Sequence, residues 1–155
     1  MIYVAAYRGK GIISTLIRFR TWSKYSHVAV MNEHGEIIEA WQRGGVCYRA
    51  NHHQGHRPGT QIDCYSYPLP HFREELLWRF MCGQVGRGYD YFGVLGFLTR
   101  RDKAHNPERW FCSELVMAAS IACGDPLLRG IAPHRVSPGD VVTSPLLNYS
   151  HKLIV

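Results

Sequence analysis

Residues 25–41 read YSHVAVMNEHGEIIEAW, two apolar runs on either side of Glu33, His34 and Gly35, and the fold turns on how those runs pair. Runs 26–32 and 36–41 have the composition of strands, and the glycine between them predicts a hairpin turn. A three-residue loop with Gly35 in the left-handed position pairs Ala29 with Glu39 and His27 with Trp41. His27 and Glu39 then share a face as diagonal neighbours, roughly 7–8 Å apart at the backbone. A two-residue His34-Gly35 loop pairs Val30 with Glu39 and sends the carboxylate to the opposite face. Both registers stay open at this stage, with Glu36 at the turn as the fallback acid. A carboxylate set into IIEAW needs a partner if it is buried, and His27 can supply one.

Further elements follow from periodicity. Residues 2–6 read as a short strand. IISTLIRF predicts an amphipathic helix over about 11–21, whose stripe is expected to pack in the core, with an acyl or membrane-facing groove as the alternative. Residues 49–60 form a polar loop in which Asn51-His52-His53-Gln54-Gly55-His56 is expected to be solvated, since nothing there fixes a metal geometry. A strand is expected at 61–67. After Pro68 and Pro70 a helix runs over about 71–84, placing Phe72, Leu76, Leu77, Phe80 and Met81 on one face. YDYFGVLGFLTRR reads as another short helical stretch and RDKAHNPER as an exposed loop. WFCSELVMAASIACG gives a second strong helix, with Leu115, Val116, Ala119, Ala122 and Cys123 as its buried stripe and Gly124 as its stop. One strand is expected near 140–143 in the proline-punctuated tail.

The 155 residues suit one domain, 1–155, of α+β type. Hydrophobic residues at 46% and charged residues at 19% match a globular protein, and no apolar run reaches the roughly 20 residues that cross a bilayer. The N-terminal apolar run is short and lacks a basic region before it, so no Sec-type export signal is visible and a cytoplasmic setting is expected. Five cysteines without a C-x-x-C pair fit reduced thiols better than a disulfide framework. The formal charge of +6 is scattered rather than gathered in a basic run, so no nucleic-acid partner is expected.

Cys112 stands at the first turn of the WFCSELVMAASIACG helix, where unpaired N–H groups and the helix dipole favour thiolate over thiol. A cysteine there with a histidine on a strand has the makings of a nucleophile and its base.

The order RGKGIISTLIRF, YSHVAV, IIEAW, WFCSELV resembles the circularly permuted branch of the NlpC-type, papain-like cysteine hydrolases, which includes the bacterial YiiX/YebB-like proteins and, more distantly, the lecithin:retinol acyltransferase group. In ordinary members the cysteine helix precedes the histidine strand; here it follows. The resemblance spans about residues 2–143. It implies a papain-like fold with a small antiparallel sheet packed against helices, Cys112 as nucleophile, His27 as base and Glu39 as the orienting residue. GRGYDYFGVLG is similar to the family's Gly-x-x-Tyr-x-x-Gly-Gly segment without its second adjacent glycine, which makes Tyr89 a candidate for lining the site or the oxyanion hole. The implied activity is cleavage of an amide, such as a cell-wall peptide, or of an ester through an acyl-enzyme, with no metal or organic cofactor required. A lipid acyl hydrolase or acyltransferase, a non-catalytic binding module, and a zinc site built from His27, Cys112 and Glu39 are the competing expectations. For a cell-wall substrate the chain would have to arrive by lysis, another secretion route, or a phage particle.

Overall fold

The computed structural model describes residues 1–91 and 108–155, apart from the side chains of Ile12 and Ile13. The helical stretch expected from Tyr89 onward and the loop before Arg109 fall mostly outside the described residues. In chain order the elements are β1 (Ile2–Arg8), α1 (Ile12–Thr21), β2 (His27–Asn32), β3 (Ile37–Trp41), β4 (Gly45–Arg49), β5 (Gln61–Tyr67), α2 (His71–Gln84), β6 (Gly88–Tyr89), β7 (Arg109–Trp110), α3 (Cys112–Ala122), a 3-10 turn (Pro133–Arg135), the short α4 (Pro138–Val141) and β8 (Asn148–Ile154).

Six strands form one antiparallel sheet in the order β4-β3-β2-β1-β5-β8, and β6 and β7 make a small parallel pair. The fold is α+β. One face of the sheet buries Val4, Ala6, Val28, Val30, Ile38 and Ala40 with Leu77 and Met81 of α2 and Leu115, Val116 and Ala119 of α3. The other face carries Ala5, Tyr7, Ala29, Met31, Ile37, Ile62 and Cys64. Successive side chains alternate between these faces, so His27, Glu39 and Trp41 fall on the second one.

The β2–β3 turn settles the register. Val30 pairs with Ile38 and Met31 with Ile37, the Asn32 N–H donates to the Glu36 carbonyl at 3.0 Å, and Gly35 has φ +80°. Glu33, His34 and Gly35 are therefore the loop, and Glu39 stands opposite Ala29 on the His27 face.

Several expectations need correction. No strand occupies 140–143: Ser137 accepts from the Asp140 N–H at 3.1 Å and Asp140 from the Ser137 N–H at 2.9 Å, a reciprocal cap that winds Pro138–Val141 into a helical turn. The strand of the tail is β8, paired along the free edge of β5. The α1 stripe is only partly core: Ile17 is buried, whereas Leu16 is 54% and Phe19 75% exposed. Phe72 and Leu76 of α2 and Ala122 of α3 are likewise exposed.

β4 was not foreseen. It begins at Gly45, where φ is +75° and an added Cβ would overlap the Arg87 carbonyl oxygen. That carbonyl accepts the Val46 N–H at 2.8 Å, fastening β4 to the segment that follows α2. Gly45→Ala is expected to cost more than about 2 kcal/mol, read as a lowered urea midpoint with an unchanged slope, because left-handed backbone and steric overlap both oppose the side chain.

Candidate active site

Cys112 is the first residue of α3, whose N-cap is Phe111. The cap is reinforced by the buried Glu114, which accepts the Phe111 N–H at 3.4 Å. The described β2–β3 ladder is only two residue pairs long and ends before the His27 end of β2. There the backbone N–H groups of Val28 and Ser113 turn toward the Cys112 sulfur, which lies in hydrogen-bond contact with the His27 side chain. The start of α3 thus meets the start of β2, and residues far apart in the chain share one site.

Within that site His27 donates Nε2–H to Glu39 Oε2 at 2.6 Å, which leaves Nδ1 to meet the thiol. Glu39 is fully buried and is held by two more donors, His56 Nε2 at 3.1 Å on Oε2 and the Arg49 guanidinium on Oε1. Aromatic side chains fix the rings around it. His56 stacks on Tyr7 with centroids 4.1 Å apart, and Trp41 meets His27 edge-on at 5.5 Å and His56 at 4.7 Å.

Arg49 and His56 escaped the sequence reading. Arg49 reaches Glu39 because β4 sets Cys47 opposite Glu39, so that Arg49, two residues on, lies diagonally on the same face. His56 comes from the loop expected to be solvated; its neighbours His53 and Gln54 are exposed, while its own side chain is turned inward. No periodicity in 49–60 distinguishes the one histidine from the other two. Tyr89 also approaches: burial, then the nearby Cys112 charge, push its hydroxyl well above the ordinary range.

The electrostatics separate the charges. Burial by itself raises the Cys112 pKa, but the His27 charge and hydrogen bond and the two backbone N–H groups outweigh it and bring the thiol below its ordinary value. Burial by itself lowers His27, yet the Cys112 and Glu39 charges lift the imidazole to about 10. Burial would raise Glu39, and the hydrogen bonds and charges of His27 and His56 instead hold it well below the usual carboxylate range. His56 is shifted down, by burial first and by the His27 and Arg49 cations, against the pull of Glu39. The arrangement favours charge on Cys112, His27 and Glu39 and the neutral form of His56.

No protein-family model matches the sequence, and no curated protein matches it. The fold is nevertheless that of the YiiX-like, papain-like structures, a mixed α+β sheet with helices packed on it. Among solved structures, the chain is similar to the metalloprotein YiiX from Escherichia coli O157:H7, with a TM-score of 0.70, 19% identity, and coverage of 99% of this chain and 97% of that one. Among the described residues no helix is long and apolar enough to cross a membrane.

Proposed function

We propose that the chain is a cysteine hydrolase of the permuted papain-like branch, with Cys112 as nucleophile, His27 as acid and base, and Glu39 as the residue that orients His27. The observation that carries this reading is the sulfur in contact with an imidazole whose far nitrogen is anchored 2.6 Å from a buried carboxylate. The Cys112 thiolate attacks a carbonyl carbon, and the electron pair of the C=O bond moves to oxygen. N–H groups at the start of α3, that of Cys112 among them, face the oxyanion. His27 gives its proton to the leaving nitrogen or oxygen as that bond breaks, leaving a thioester on Cys112. Water, deprotonated by His27, then releases the acyl group. The substrate class is an amide, such as a cell-wall peptide, or an ester.

A lipid acyl substrate is the second reading. α1 and its C-terminal flank expose Leu16, Phe19 and Trp22, the last at 91%, beside Arg18, Arg20 and Lys24. Apolar and aromatic side chains rimmed by cations suit a lipid interface. Release of fatty acid from phospholipid vesicles, with no cleavage of peptides, decides for it.

The metal-binding property of YiiX invites a metal reading here too. His27, Glu39 and His56 present donor atoms within 4.8 Å of one another, and their types suit a divalent ion. Their charges do not: Glu39 already carries the Arg49 guanidinium, which a bound cation would have to face. The residues present do not fit a bound cation, and the mechanism uses none. Metal analysis of the purified protein should give well under one equivalent; stoichiometric zinc would overturn the thiol mechanism. Hydrolysis by the metal-free protein should also fail as pH rises through about 10, where His27 loses the proton it must donate. A raised pKa places the active form below that value, so the descending limb belongs on the alkaline side.

A further inference from the structure

A cavity of about 250 Å³ opens beside the imidazole, and His27 is part of its wall while Cys112 is not. Lys10, Arg43 and Arg57 line it, with the hydroxyls of Ser14 and Ser26, and no Asp or Glu does. All three cations are exposed, and none is in an ion pair among the described residues. This differs from the other basic side chains close by: Arg8 is spent on Asp63 at 2.7 Å and Arg49 on Glu39. A further feature points the same way. Gly11 caps the start of α1 at this cavity without a side-chain acceptor. Three cations lining one cavity, with no counter-charge among the described residues of its wall, repel one another, a cost that an arriving anion removes.

We propose that this cavity binds a carboxylate or phosphate carried by the substrate on the imidazole side of the scissile bond. The inference rests on the cysteine-hydrolase reading and narrows its substrate. A general acid must lie within hydrogen-bond reach of the atom it protonates, so the space continuing from His27 belongs to the leaving group. At roughly 30 Å³ per water the cavity holds about eight water volumes, enough for a charged group with a few carbons and too small for an acyl chain. The substrate is therefore an acyl compound whose leaving portion is small and negatively charged, at least where it meets the protein.

The test needs no natural substrate. Cys112 is alkylated with iodoacetate and with its neutral isostere iodoacetamide, and the ratio of the two rates is measured by mass spectrometry in the wild-type protein and in the triple variant Lys10→Met, Arg43→Met, Arg57→Met. His27 is present in both proteins, so the change in ratio isolates the three cations. It should fall about tenfold in the variant, and added salt should lower it in the wild type. The single substitutions, each at an exposed position, give the same comparison if the triple variant does not fold. Glutarate and inorganic phosphate are then used to protect wild-type Cys112 from iodoacetamide: protection by the first alone identifies a carboxylate, by the second alone a phosphate, and by both a site that reads charge. A ratio unaltered by the substitutions, or protection by neither anion, overturns the inference while a fast Cys112 leaves the hydrolase reading standing. Iodoacetamide reacting with Cys112 no faster than with Cys47 or Cys82 overturns both.

Discussion

Replacing His27 by glutamine is expected to slow alkylation of Cys112 at about pH 6 by roughly a hundredfold or more. Cys112 is buried among Leu115, Val116 and Trp110, an environment that by itself pushes a thiol upward. Only the imidazolium charge and hydrogen bond, with the Val28 and Ser113 N–H groups, reverse the sign. Without His27 two neutral dipoles are left to oppose burial, and the thiol returns above the free-cysteine value near 8.5. Each unit of that return costs about tenfold in thiolate at fixed pH. The other cysteines serve as internal references: burial, then Asp63, drives Cys64 up to about 11, and burial also raises Cys47, Cys82 and Cys123. All four should stay slow in both proteins. A Cys112 that alkylates as fast in the variant as in the wild type would show that its reactivity does not come from the imidazole.

The second large effect is on stability. Glu39→Gln is expected to destabilise the protein by about 3–5 kcal/mol, the range for removing one partner from a buried ionic network. Glu39 accepts from His27, His56 and Arg49, and glutamine offers one acceptor oxygen with no charge. Arg49 and His27 would then be cations facing each other across a neutral group in a buried place. For a chain of this size, the melting temperature should fall on the order of 10 °C. The pH dependence carries a further signature. Because the folded-state pKa of Glu39 is depressed, its contribution is complete above the unfolded value near 4.3 and is lost as pH falls through the folded one. Wild-type stability should decline in acid, and the variant should lack that part of the decline. A variant melting within about 2 °C of the wild type at neutral pH would mean that the network contributes little.

Where the sequence carried a local physical signal, the structure was legible in it. The Pro68-Leu69-Pro70 break separates β5 and α2 at their observed bounds, whereas Gly35 fits both of the hairpin loops weighed, and only the ladder itself chooses the register that puts Glu39 beside His27. Elements whose reason lies elsewhere in the chain were not legible. β4 is a strand because β3 and the Arg87 carbonyl accept it, and β8 because β5 has an open edge; neither partner can be read from the residues themselves. Helical spacing located the apolar stripes of α1 and α2 but says nothing of what covers them: the α1 stripe was expected in the core, which Leu16 and Phe19 do not join, and on the apolar face of α2 Phe72 and Leu76 are exposed. The same limit explains the two site residues found only in three dimensions. Arg49 depends on β4, and His56 on a loop folding back until its ring stacks on Tyr7.

The central claim is that Cys112 rests as a thiolate paired with protonated His27, and thiolate has its own ultraviolet absorbance. Titrating the wild-type protein and Cys112→Ala side by side, and subtracting, isolates the one sulfur. The expected difference curve rises below the free-thiol value near 8.5. A difference that first emerges at or above that value would mean a neutral buried thiol, and the ion pair would be refuted.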